Sequence, residues 1–155
     1  MENFEPVIEE LVTLKTRKPE RGIQKWADMS ISLLRDLDRR GVSPQEFNEA
    51  LKTLKRQLDG DTKANMIRSF YAMITDTCRK KFGLVTPNYY QNQWMILGMT
   101  VFGLPFGLMF SLALDNFAFF TIGLPIGMPI GIAVGAQKDK KAKEEGLQLS
   151  AVCEN

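Results

Sequence analysis

The sequence predicts an all-α protein in which a small cytoplasmic helical bundle is followed by a two-helix transmembrane hairpin. The hairpin is predicted by forty-three residues, from Trp94 to Ala136, whose only charged side chain is Asp115. About 20 apolar residues suffice to cross about 30 Å of hydrocarbon as a helix, so this run has room for two spans. The bundle is predicted by apolar residues at helical spacing in the first half, where no sustained alternation of period two occurs.

The residues before this run predict a cytoplasmic helical domain over 1–82. A first helix is expected over 5–16 and a second over 23–40, because apolar side chains repeat there with the period of a helix. Gly41 follows the second helix, and glycine is the common residue for the left-handed conformation that ends a helix.

The start of the third helix carries the strongest local signal of this domain. Ser43, Pro44 and Glu46 form a capping box with proline in the first turn, a pattern that satisfies amide groups at a helix N-terminus. We expect this helix to end at Gly60. A fourth helix, capped by Asp61, then completes the domain.

A basic run joins the first two helices and allows two interpretations. It could contact anionic lipid or a nucleotide, or it could be a solvated loop whose charge is diluted by Glu20 and Asp28. We favour the solvated loop. No aromatic residue interleaves the run, so nucleic acid is not expected as a partner. The residues of the run are Lys15, Arg17, Lys18, Arg21 and Lys25.

Residues 83–93 predict an interfacial linker into the bilayer surface, because they carry no charge and include Gly, Pro, Asn and Gln. Tyr89, Tyr90 and Trp94 cluster at its end. Amphipathic aromatic rings settle at the headgroup level of a membrane, so these three residues are expected to be interfacial anchors at the entrance to the first span.

The distribution of lysine and arginine predicts the orientation of the hairpin. Spans are expected over 94–114 and 117–136, joined by a tight turn at Asp115 and Asn116 and followed by a charged cytoplasmic tail over 137–155. The turn has no basic residue, whereas seven basic residues flank the two spans: Arg79, Lys80, Lys81, Lys138, Lys140, Lys141 and Lys143. The bias predicts a multi-pass protein of the cell membrane with both termini cytoplasmic.

Small residues recur every four positions in both spans and predict a helix-packing surface. In lipid, such a stripe lets two helix backbones approach closely. The predicted packing residues are Gly103, Gly107 and Ser111 in the first span and Gly123, Gly127, Gly131 and Gly135 in the second. The sequence GLPFG at 103–107 also returns as GLPIG at 123–127. Duplication of one span and convergence within a restricted membrane alphabet remain equal explanations of this repeat.

The prolines of the spans also allow two interpretations. Pro105, Pro125 and Pro129 each remove an amide donor and free a carbonyl four residues earlier, for Pro125 that of Thr121. We favour a tightly packed, kinked hairpin. The alternative is that an oligomer arranges these four residues around a water-filled path.

Composition excludes several classes of function. The chain has no histidine and two cysteines, so the commonest general base is missing and no zinc site or disulfide framework is indicated. No nucleophile elbow, phosphate loop or paired-carboxylate motif is present. We therefore expect no catalytic residue, no metal and no cofactor.

The hairpin resembles a group of small bacterial membrane proteins with two-span glycine-zipper hairpins. The resemblance covers about residues 98–147: the two glycine stripes, the Asp115-Asn116 turn and the charged exit QKDKKAKEEGL. It leaves the N-terminal domain unmatched. It implies a helix-packing or oligomerising hairpin and carries over no catalytic residue.

Two hypotheses about function follow. In the first, an integral membrane protein oligomerises into an effector or small pore that its cytoplasmic helical domain controls. In the alternative, a non-conducting anchor holds an adaptor domain that recruits a partner. The expected partners are the lipid bilayer, further copies of the chain, and an unidentified cytoplasmic ligand or protein.

Overall fold

A computed structural model describes residues 3–58 and 63–150, and within these ranges the protein is helical without a strand. The predicted all-α class is therefore confirmed. The six helices are α1 (Glu5–Arg17), α2 (Arg21–Arg39), α3 (Asn48–Leu58), α4 (Ala64–Phe82), α5 (Tyr89–Ala113) and α6 (Phe117–Glu144). They form two compact units, the helical unit (Met1–Thr86 with Leu149–Asn155) and the hairpin unit (Pro87–Gln148).

The helical unit is built around one apolar core. Within it, α2 packs against α1 and α4, and α3 packs against α4. Phe4 and Phe47 meet in this core with ring centroids 5.9 Å apart. The largest fully buried side chains of the unit are Phe4, Phe47, Phe70, Leu11, Ile23, Leu33, Leu34, Leu37, Leu54, Ile67, Ile74 and Leu149.

The ends of these helices follow the predicted signals in part. Gly41 has a φ of +70°, and the amide of Val42 donates to the carbonyl of Leu37, which is the expected left-handed helix end. Ser43 Oγ accepts from the amide of Gln45 at 3.4 Å, but the turn that follows, Pro44–Phe47, is a 3₁₀ helix.

The glutamate of the predicted capping box links two helices. Glu46 accepts from Lys81 Nζ of α4 at 2.6 Å. The predicted end at Gly60 and the predicted cap at Asp61 lie outside the described residues. The fourth helix begins at Ala64, with Lys63 at the N-cap position.

The hairpin unit consists of α5 and α6, which are long and apolar enough to cross a membrane. Only 22% of the most apolar stretch of α5 and 17% of that of α6 is buried. Core helices of soluble proteins bury such residues, whereas these helices present theirs to the surroundings. The sharp turn between them has Asp115 at a φ of +45°, and Asn116 Oδ1 accepts from the amide of Ala118 at 2.9 Å.

The boundaries of the hairpin helices differ from the predicted ones. The first helix begins at Tyr89 instead of Trp94, so only 83–88 remain as a connection in place of the linker over 83–93. The second helix continues to Glu144 through residues with good helix propensity, and it ends where Gly146 adopts a φ of +71°. More than a third of the predicted tail over 137–155 is therefore helix.

The chain after α6 returns to the helical unit. Leu149 is 1% exposed, and its amide donates to the carbonyl of Val85 at 2.8 Å. Ser32 Oγ donates to the carbonyl of Ser150 at 3.0 Å, and the amide of Ser150 donates to Asp36 Oδ2 at 3.1 Å. The segments that lead into and out of the hairpin are thus joined within one unit, and both ends of the hairpin connect to it.

Candidate functional site

The surface between α5 and α6 is the candidate site, and small residues form nearly all of it. The two helices pack antiparallel along their length. In the described hairpin unit, the buried residues are Gly98, Gly103, Gly107 and Ser111 of α5, with Gly123, Gly127, Gly131, Gly135, Asp139 and Ala142 of α6. The structure therefore brings all seven predicted packing residues into one interface within a single chain.

The backbones at this interface are too close for a side chain. A Cβ atom added to Gly98 would lie 2.5 Å from the carbonyl oxygen of Gly127 and 2.8 Å from the Cα of Gly131. A Cβ added to Gly127 would meet Gly98 O and would lie 2.7 Å from the amide nitrogen of Gly103. The atoms in the way are backbone atoms, which cannot move aside, so glycine is what permits the dispersion contacts of this interface.

Gly98 is an interface residue that the four-residue pattern did not predict. It precedes Gly103 by five positions, and a regular α-helix would turn it away from the stripe. The segment Met99–Gly103 is π-helical, with one extra residue in its turn, and this returns Gly98 to the face that contacts α6. No simple spacing rule in the sequence reveals such an insertion.

Asp139 is the second residue that the sequence analysis missed. It is 7% exposed, and its two carboxylate oxygens accept from the amides of Tyr90 at 3.0 Å and Gln91 at 2.8 Å. A carboxylate from α6 thus caps the N-terminus of α5, where the helix dipole and unpaired amides favour negative charge. The sequence carried a signal for it, because Asp139 continues the glycine series four positions after Gly135.

We expect Asp139→Ala to destabilise the hairpin by about 1–3 kcal/mol, because two partly buried amides lose a charged acceptor. Asp139→Asn keeps one side-chain oxygen as an acceptor, so it should destabilise the hairpin less than Asp139→Ala. Unfolding of the solubilised protein by SDS titration measures the difference. Glu144→Ala, an exposed acid on the same helix, is the control, and equal midpoints for Asp139→Ala and Glu144→Ala would contradict the cap.

The residues predicted to form kinks or a pore lie outside this interface. Pro105, Thr121, Pro125 and Pro129 are all exposed on the surface of the hairpin. The α-helix of α6 continues unbroken through Pro125 and Pro129. Thr121 Oγ1 donates to the carbonyl of Ala118 at 3.0 Å, within its own helix. Within one chain, these four residues therefore enclose no path.

The predicted interfacial aromatics lie on the first two turns of α5. The rings of Tyr89 and Tyr90 meet edge to face, 5.3 Å between centroids. Lys138 Nζ of α6 lies 5.3 Å from the centroid of the Trp94 ring, a cation–π arrangement. Aromatic and basic side chains thus share the open end of the hairpin.

The predicted basic run lies mostly on the ends of α1 and α2, with only Lys18 in the connection between them, and it is partly neutralised. Lys15 Nζ lies 2.5 Å from Asp28 Oδ1. Arg17, Arg21 and Lys25 are exposed, and Lys18 also interacts within the protein. This arrangement favours the interpretation as a solvated surface, although most of the run is helix and not the expected loop.

A polar groove of about 530 Å³ lies along α2 in the helical unit. Asp36, which is mostly buried, pairs with Arg40 at 3.0 Å and accepts from the returning Ser150. Arg35 and Arg39 are exposed at this groove. The lining residues are Asp28, Ile31, Ser32, Arg35, Asp36, Arg39 and Ser150.

The described residues contain no group of three or more His, Cys, Asp or Glu side chains that could hold a metal ion. Cys78 is fully buried in α4, and burial raises the pKa of its thiol to about 12. Because the thiolate is the nucleophile, this cysteine is unreactive at neutral pH while the unit stays folded.

Comparison of the chain with protein-family models, with curated proteins and with solved structures gave no match.

Proposed function

We propose that this protein is a non-conducting membrane adaptor, in which the hairpin is a self-contained anchor and the helical unit recruits a partner. The observation that carries the proposal is the mutual burial of the two glycine stripes. The close-packing surface of each helix is already occupied by the other helix of the same chain. No stripe is left over to hold a second copy, which removes the main argument for an oligomer.

The outer surface of the hairpin supports the same proposal. From Ile96 to Val134 its exposed large side chains are mainly apolar, as lipid requires. The hydroxyls of Thr100 and Thr121 donate to carbonyls of their own helices, so they need no water. A water-filled path needs polar groups along its wall, and the described outer surface of the two spans offers few besides these two hydroxyls.

The proposed location is the cell membrane with both termini cytoplasmic. The lysine and arginine bias supports this orientation. The return of Leu149 to Val85 supports it independently, because both ends of the hairpin connect to one folded unit. A hairpin with both ends on one side places only its Asp115-Asn116 turn on the other.

This topology predicts which cysteines a membrane-impermeant maleimide reaches in sealed cells. Asn116→Cys should be labelled from outside, whereas Cys153 should be labelled only after permeabilisation. Cys78 should not be labelled, because its raised pKa keeps the thiol protonated and its burial shields it from the reagent. Labelling of Cys153 in sealed cells would overturn the orientation.

We place the partner contact at the α2 groove of the helical unit. Arg35 and Arg39 present two exposed guanidinium groups there, beside the carboxylates of Asp28 and Asp36. Guanidinium groups bind carboxylates with two parallel hydrogen bonds, so an acidic segment of a partner protein fits this chemistry. The hairpin would then hold that partner at the membrane surface.

An oligomeric effector or pore is the second candidate. It is favoured by one observation, the exposure of Pro105, Thr121, Pro125 and Pro129 on the outside of the hairpin, where further copies could pack in place of lipid. The mass of the detergent-solubilised particle together with conductance in planar bilayers decides between the two candidates. A monomer without conductance supports the adaptor, and a stable ring that conducts ions supports the effector.

A further inference from the structure

A shallow basic pocket lies at the open end of the hairpin, outside the glycine interface. Its volume is about 170 Å³, and it forms between the first turn of α5 and the last turns of α6. Lys138 and Lys141 contribute the positive charge, and Glu145 contributes one negative charge. The lining residues are Tyr90, Lys138, Lys141, Ala142, Glu145 and Leu147.

The lysines of α6 fall into two pairs with different surroundings. Lys138 and Lys141 lie at the pocket, three residues apart on one face, whereas Lys140 and Lys143 do not line it. Each pair includes one lysine with an exposed glutamate partner. Lys141 lies 3.7 Å from Glu145, and Lys140 lies 3.9 Å from Glu144, both as exposed pairs four residues apart. Such exposed pairs are weak, so they leave the lysine charge open to a ligand.

The pocket combines the two chemistries of a phospholipid headgroup site. Tyr90 and the neighbouring Trp94 supply amphipathic rings, and Lys138 lies over the Trp94 ring. Apolar helix surface begins directly beyond these rings, at Ile96 and Leu97, which are 61% and 42% exposed. A phospholipid whose phosphate contacts the lysines can therefore lay its acyl chains against the apolar surface of the same hairpin.

We infer that this pocket binds the phosphate of an anionic phospholipid, with Lys138 and Lys141 as the phosphate contacts. The inference rests on the proposed membrane insertion of the hairpin, and it adds a defined site to what would otherwise be a diffuse charge bias. Orientation by the positive-inside rule depends on the number of lysines and treats all four alike. A site depends on which two lysines are present.

The test compares two double variants of the full chain with equal charge, Lys138→Ala with Lys141→Ala and Lys140→Ala with Lys143→Ala. Native mass spectrometry of the solubilised protein measures binding of phosphatidylglycerol against phosphatidylcholine. We expect the pocket variant to lose binding of phosphatidylglycerol about tenfold, and the control variant to stay close to the parent. Glu145→Gln should increase binding, because it removes the negative charge from the pocket.

Two further measurements separate the ways in which the inference could fail. Alkaline extraction of membranes reports insertion, and release of the parent protein would refute the proposed anchor itself. If the parent is inserted but the two double variants bind phosphatidylglycerol equally, the anchor stands and the pocket is refuted. Glycerol 3-phosphate tests the source of the phosphate. Displacement of the lipid by this soluble compound at comparable concentration would overturn the lipid assignment and indicate a free phosphate ligand.

Discussion

Replacing Gly127 and Gly131 together with leucine should disrupt the hairpin, with a loss of about 3 kcal/mol or more in its stability. At Gly127 a new side chain would meet Gly98 O and the amide of Gly103, and at Gly131 it would meet the backbone of Trp94 and Met95. Backbone atoms of a helix cannot rotate away from such an overlap. The helices must separate, and the dispersion contacts along the interface are then lost.

The measurement is SDS titration of the solubilised protein, together with its yield in the membrane fraction. Ile126→Leu with Ile130→Leu is the matched control, because both isoleucines are exposed on the outer surface of α6. We expect the glycine variant to unfold at lower SDS and to be poorly recovered, while the control and the parent behave alike. An unchanged midpoint in the glycine variant would show that the interface does not hold the hairpin together.

Leu149→Ala should destabilise the helical unit by about 2–5 kcal/mol. Leu149 comes after the hairpin in sequence but lies in the core of the helical unit, where Leu84 and Val85 are also buried. Truncation of a fully buried leucine removes apolar burial and leaves a cavity. A fragment that ends at residue 82 would lack all three side chains, so we expect it to be less stable than the full chain.

The accessibility of the Cys78 thiol measures unfolding of the helical unit separately from unfolding of the hairpin. When Cys153 is replaced by serine, Cys78 is the one thiol that remains in the chain. It is buried in α4 of the helical unit. Its reaction with a maleimide along a urea series reports when that unit opens. Leu149→Ala should lower the midpoint, while Leu149→Met and the exposed Val12→Ala should change it little. If Leu149→Ala reacts like the parent, residue 149 is not part of this core.

The raised pKa of Cys78 sets the pH range of that assay. The thiol titrates near 9 in the unfolded chain and at about 12 in the folded unit. Its burial therefore adds stability that is complete below pH 9 and declines as the pH rises from 9 towards 12. Measurements at neutral pH keep this contribution constant across all variants.

The sequence by itself determined the helical class, the two long apolar segments and the small residues that form a packing face on each of them. These features follow from local rules. Helical period marks apolar faces, an uncharged run of forty-three residues has room for two spans, and a four-residue series such as Gly123 to Gly135 keeps small residues on one face. The same rules also located the turn at Asp115 and Asn116, where the chain adopts a left-handed conformation.

Only the tertiary structure decided what those small residues face and which distant residues join them. A stripe of glycines fits a second copy as well as a neighbouring helix, and the spacing alone does not distinguish the two. The contact of Gly98 with Gly127 and Gly131, the hydrogen bonds of Asp139 to amides 48 and 49 residues away, and the return of Leu149 to the helical unit are all contacts between residues distant in sequence. Periodicity can place a residue such as Asp139 on the packing face, but it does not name the partner, because partners are set by how the helices pack and not by the order of residues along one helix.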